Sequence, residues 1–107
     1  MIIYEIKLPK KQDPGVFANF MQKEYFPAVF RGPTRVGQVT DLLLLQGMAE
    51  TGDSKMPHHF YWQVGWNGLG GGKVSCDNIE IQQKFEAFKP TIKRIGMFEQ
   101  VASQKKK

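Results

Sequence analysis

Residues 2–8 alternate between apolar and polar positions. Tyr4, Ile6 and Leu8 fall on one side of an extended chain, and Ile3, Glu5 and Lys7 on the other. Period two among β-formers, closed by Pro9, predicts a strand. Asp13 can cap a helix whose first position is Pro14, which has no N–H to lose. Val16, Phe17, Phe20, Met21, Glu24 and Tyr25 follow at helical spacing, and Pro27 is expected to end or kink that helix before Arg31-Gly32-Pro33 turns the chain. Residues 35–46 contain Leu42 to Leu45 in an unbroken run close to Gly37 and Gly47, which predicts a strand covered on two sides. A polar loop is expected over 47–57.

Residues 58–66 alternate most sharply. Phe60, Trp62, Val64 and Trp66 share one face; His59, Tyr61, Gln63 and Gly65 share the other. After a glycine-rich connector, Asp77 to Glu80 has capping-box spacing. Ile81, Phe85, Phe88 and Ile92 then give the stripe of a second helix, disturbed by Pro90. A last strand is expected over 95–102, with Met97, Glu99 and Val101 opposite Phe98 and Gln100.

The order strand, helix, strand, strand, helix, strand predicts an α+β, ferredoxin-like βαββαβ domain over residues 1–104. In it, two helices lie on one face of a four-stranded antiparallel sheet whose first and third strands are central. Two helices cover one face and no more. Four strands of about seven residues present roughly 450 Å² in projection. The leucine run, Ile3, Tyr61 and either Met97 or Phe98 must fall on the second, open side. The commonest cover for such a face is another copy about a two-fold axis, so a homodimer is expected.

Composition changes this picture little. The chain has 107 residues, of which 41% are hydrophobic, enough for one core. Its net charge of +5 owes three units to Lys105, Lys106 and Lys107; the rest carries twelve bases against ten acids. A nearly balanced body with a basic tail at 105–107 argues against a nucleic-acid surface. Cys76 is the single cysteine, which excludes an intrachain disulfide and a cysteine cage for a metal. No apolar run approaches the roughly 20 residues that span a bilayer, and the start of the chain mixes acid and base unlike a signal peptide. A cytoplasmic protein without membrane contact is the expectation.

Familiar motifs fail on spacing. In Gly68-Leu69-Gly70-Gly71-Gly72-Lys73, a phosphate loop would need glycine where Asn67 stands and a hydroxyl where Val74 stands. A dinucleotide fingerprint would need glycine at Lys73. His58 and His59 are adjacent, so on a strand they point apart and cannot share a metal. No metal or cofactor is expected.

The element order, the aromatic stretch FYWQVGW closing on Trp66, and the segment IEIQQKFEAFKPTI together make the chain resemble the dimeric α/β-barrel superfamily of ferredoxin-like proteins, over nearly its whole length. That resemblance implies two sheets packed face to face and a small-molecule pocket at the sheet, either between each sheet and its helices or in the barrel. It also implies kinship with cofactor-free monooxygenases, lactone isomerases, haem-degrading enzymes and uncharacterised members. The haem-degrading members use a histidine on the later helix, and residues 78–94 contain none.

If Tyr4, Ile6, Phe60, Trp62 and Val64 face the helices, then Glu5, Lys7, His59, Tyr61 and Gln63 gather on the open face. His59 and Glu5 are the candidate acid–base pair; Lys7, Tyr61, Gln63, Trp66 and Met97 are the candidate ligand-binding positions. These polar groups could equally serve only to satisfy one another across a dimer. Reversed parity would put Trp62 and Trp66 on the open side instead. Three functions compete: binding of an apolar or amphipathic small molecule, fatty-acid- or polyketide-like; cofactor-independent monooxygenase or isomerase chemistry at the same site; and single-stranded nucleic-acid binding, for which RNA-recognition motifs share the element order.

Overall fold

The computed structural model describes residues 1–31, 38–48, 56–67, 76 and 78–106, with Gln38, Trp66 and Asn67 described by backbone alone. Strands β1 (Ile2–Lys7), β2 (Gln38–Gln46), β3 (His59–Asn67) and β4 (Thr91–Met97) form one antiparallel sheet in the order β2-β3-β1-β4. Helical segments lie between β1 and β2 and between β3 and β4, which gives the ferredoxin-like βαββαβ order of the α+β class. Among the described residues no helix is long and apolar enough to cross a membrane.

The first helical arm starts as its residues require. Asp13 accepts hydrogen bonds from the amides of Gly15 (2.8 Å) and Val16 (3.3 Å), and Pro14 opens α1 (Pro14–Phe20). Val16 is solvent-exposed rather than part of the buried stripe, which Phe17, Phe20, Met21 and Tyr25 supply. Pro27 does not end the arm. The chain passes through a π-helical turn (Met21–Tyr25), where the Phe26 amide reaches back five residues to the Met21 carbonyl, and continues as α2 (Phe26–Arg31). Widening the ladder places Pro27 in the first turn of a renewed α segment, where its missing N–H costs least.

The second arm, α3 (Ile79–Ala87), is capped by Asn78, whose Oδ1 accepts the Ile81 amide at 3.2 Å. The capping position expected at Asp77 lies outside the described residues, as do the turn at Gly32-Pro33, the glycine-rich 68–73 stretch and most of the 47–57 loop. Lys89, at φ 52°, and Pro90 close the helix, so Ile92 belongs to β4 and not to the helical stripe.

β4 therefore sits four residues earlier than the alternation at 95–102 suggested, and residues 98–106 carry no regular structure. Pairing with β1 decides this. β1 pairs Ile2 with Met97 and Lys7 with Thr91, and the Met1 carbonyl accepts the Phe98 amide at 2.7 Å. A bulge at Ile95 shifts the register between Ile3–Gly96 and Tyr4–Arg94.

All core residues of the sheet point one way. Ile2, Ile6, Phe60, Trp62 and Val64 join Phe17, Phe20, Met21, Tyr25 and Phe85 in one buried cluster, with Tyr4, Leu42 and Leu44 packed against it. The rings interlock: Phe17 lies 5.2 Å from Phe60 and from Phe88, and Tyr25 stacks on Phe85 at 4.7 Å. Each large side chain so buried contributes about 1.5–3 kcal/mol. The helices cover this face only.

Candidate functional site

The other face is bare, and its layout follows from the register. Lys7 pairs with His59, Glu5 with Tyr61, and Ile3 with Gln63 across the central strands. On the flanks Leu45 pairs with Tyr61, Leu43 with Gln63 and Asp41 with Gly65, while Lys93 pairs with Glu5 and Thr91 with Lys7. Since directly opposed residues share a face, all of these side chains stand on the open side. The alternation expected from the sequence holds, and reversed parity does not occur.

Glu5 is the hub. Its carboxylate is 21% exposed in the middle of the sheet, with Lys7 Nζ 3.7 Å from Oε1 and His59 Nε2 3.5 Å from Oε2. The Tyr61 hydroxyl donates a long hydrogen bond of 3.4 Å to the same Oε2, and the His59 and Tyr61 rings lie 5.1 Å apart. Among the described residues His59 Nε2 is buried without an aligned hydrogen-bond partner, although it stands 3.5 Å from Glu5 Oε2. Three donors thus surround one carboxylate, none at the 2.7–3.2 Å typical of a firm bond.

The walls are apolar. Leu43 and Leu45 are 46% and 45% exposed, Tyr61 39%, and Phe98 45%. Met1 and Phe98 exchange backbone hydrogen bonds, which carries the apolar border across the end of β1 to the far side. The Phe98 ring lies 3.7 Å from where a Cβ on Gly96 would stand, and Gly96 pairs with Ile3 on this face. Of the two aromatic or apolar candidates for the open side, Phe98 is therefore the one present. Met97 pairs with Ile2, whose side chain enters the core, so Met97 is on the helix side and away from the Glu5 group.

Gln63 stands between Ile3 and Leu43, one row from Glu5. Trp66 is placed in β3 opposite Val39, and its side chain lies outside the described part. His58 is held apart from His59: it ends a 3-10 turn (Met56–His58) and its Nε2 donates to the Gln12 carbonyl at 3.0 Å. Lys93, Thr91 and Asp41 belong to the open face but were absent from the sequence-based site. The first two were missed with the displacement of β4. Asp41 was hidden by a bulge at Thr40, which brings its carboxylate over Gly65 where any Cβ would collide with it.

Ionisable groups also lie on the covered side, but they serve the core. Burial pushes the Tyr25 phenol up to about 12, with Cys76 and Tyr4 adding to the effect. Tyr4 is raised by burial, against the pull of Arg94. Among the described residues Trp62 Nε1 is buried with no acceptor, beside Tyr25 at a ring distance of 5.6 Å.

Comparisons with protein-family profiles, with curated proteins and with solved structures find no significant match.

Proposed function

We propose that the chain works as a homodimer of the dimeric α/β-barrel kind, binding a small apolar or amphipathic molecule against the open face of its sheet. The observation that carries this reading is the half-buried Glu5 carboxylate, loosely held by Lys7, His59 and Tyr61 among exposed leucine and aromatic side chains. A few convergent polar groups in an apolar surround fix a ligand's head, while the surround takes its tail. An acidic head suits Lys7 and His59, and a hydroxyl head suits Glu5. Titration calorimetry with laurate and with 2-naphthol tests both. Micromolar binding of either, weakened at least tenfold by Lys7→Ala or Glu5→Ala respectively, is the expected result. Heat from neither probe, together with no small molecule copurifying by native mass spectrometry, would overturn it.

The 3.5 Å approach of His59 Nε2 to Glu5 favours a second reading, cofactor-independent monooxygenase or isomerase chemistry on the same site. The pair would serve as a general base toward an acidic C–H or O–H, and an activated substrate would supply the rest. His59→Ala should then abolish turnover while leaving the dimer intact, and unchanged rates would dispose of the idea.

A further inference from the structure

The open face has a pattern that selects one way of pairing with a second copy. This inference rests on the dimer reading above and deepens it. Asp41, Leu45, Lys93 and Phe98 mark the corners of three rows of the face, with the row of His59, Lys7 and Thr91 lying beyond Leu45 and Lys93. Leu45 and Lys93 terminate one row, through Tyr61 and Glu5; Asp41 and Phe98 terminate another, through Gly65 and Met1. From β2 to β4 are three strand spacings, roughly 14 Å, and from Asp41 to Leu45 are four residues, also roughly 14 Å. The four corners therefore outline a near-square. Twist skews the square without exchanging its corners.

For two identical faces to meet, the two-fold axis must lie in the plane between them, and a square offers four such axes. An axis along the strands sets Leu45 against the partner's Lys93 and Asp41 against the partner's Phe98. One across the strands sets Leu45 against the partner's Asp41 and Lys93 against the partner's Phe98. The Asp41–Lys93 diagonal stacks each charge on its own copy. Only the Leu45–Phe98 diagonal puts apolar on apolar and opposite charges together, with Lys93 meeting Asp41 of the partner subunit.

Both charges are available for that role. Among the described residues neither Asp41 nor Lys93 has an ion-pair partner, although Asp41 accepts a 2.7 Å hydrogen bond from Thr40. Like charges across an interface disfavour the wrong pairings, so these corners act on register more than on raw affinity. The corner square covers about 200 Å² in projection, so the side chains bordering it supply the rest of the contact toward the ~800 Å² per partner of a standard interface.

We infer that two copies pack their open faces with strands crossing near 90°, about the Leu45–Phe98 diagonal, joined at opposite corners by Asp41–Lys93 ion pairs. Orthogonal sheet packing is an established geometry. In this arrangement the partner's Leu43 lies over the stretch between Tyr61 and Glu5 in the row that starts at Leu45. His59 and Lys7 project past the partner's sheet edge. The Glu5 group is then roofed on one side and open on the other, which makes the second copy part of the binding site.

The test combines sedimentation with cross-linking. In a Cys76→Ser background, Leu45→Cys and Phe98→Cys are each treated with a short bismaleimide. Face-packed sheets lie ~10 Å apart, beyond the Cβ separation of about 4.5 Å that a direct disulfide needs. Each single variant should yield a covalent homodimer. Asp41→Lys and Lys93→Asp should each weaken dimerisation at least tenfold at unchanged circular dichroism, and the double reversal should restore it. Cross-linking only when Leu45→Cys is mixed with Lys93→Cys, or a dimer indifferent to either charge reversal, overturns the diagonal axis and leaves the dimer standing. A wild-type chain that sediments as a monomer at 100 µM (roughly a hundred times a micromolar constant) overturns the axis and the dimer together.

Discussion

Phe60 and Tyr61 are neighbours on β3 and have opposite surroundings. Phe60 is fully buried against Phe17, whereas Tyr61, one residue on, stands 39% exposed beside Glu5. The same division runs through the sheet: Leu42 and Leu44 pack on the helices while Leu43 and Leu45 face outward. On the covered face polar atoms are few and one of them, Trp62 Nε1, has no partner among the described residues. On the open face charged and hydroxyl groups share one carboxylate within a greasy border. A core minimises polar groups because each unpaired one is expensive to bury. The open face concentrates them on the two central strands, where a fold gains nothing from them. The contrast separates residues kept for packing from residues available for binding.

Truncation should show that contrast most strongly. Phe60→Ala leaves a cavity among Phe17, Met21 and the sheet and should cost about 3–5 kcal/mol in urea unfolding. A loss below about 1 kcal/mol would mean that the helices do not pack on this face as described.

Titration sharpens it next. The Tyr25 phenol is pushed up to about 12 in the fold, above its ordinary value near 10. The folded chain therefore holds that proton more tightly than the unfolded chain. Its stabilisation is complete below pH 10 and is lost as pH rises toward 12, by up to about 2 kcal/mol. Tyr4 adds a shift of the same sign. Tyr25→Phe should flatten this alkaline limb in thermal melts recorded from pH 9 to 12. An unchanged limb would show that Tyr25 is wetter than its surroundings imply.

Smaller effects belong to the helix ends and to the open face. Asp13→Ala removes the cap from the arm that covers the sheet and should cost about 1 kcal/mol by chemical denaturation, with Asn restoring most of it. Tyr61→Ala should change the folding stability of the monomeric unit by no more than about 0.5 kcal/mol, as expected away from a core. It should nonetheless weaken ligand binding or dimerisation. A large folding penalty at Tyr61 would erase the distinction between the two faces.

Much of this was legible in the residues because the informative strands are central. In β1 and β3 strict alternation divides Tyr4, Ile6, Phe60 and Trp62 from Glu5, Lys7, His59 and Tyr61, so the candidate cluster could be read before any pairing was known. β4 resisted because it is an edge strand. TIKRIGM and the residues after it alternate about equally well, and only pairing with β1 selects the first. Met97 and Ile92 were displaced with it. Pro27 misled for a related reason: the rule that proline stops a helix holds for an α ladder, and a π turn relaxes it.

Sequence by itself determined which residues share a side of β1 and of β3, where the first helical arm begins, and the order in which the elements follow. These depend on contacts a few residues apart and on the period of the backbone. Tertiary structure decided the register that sets Lys93 beside Glu5, the bulges that place Asp41 over Gly65 and displace Ile95, and the choice of Phe98 over Met97 for the open side. Those depend on which strands lie side by side, and no local period encodes that.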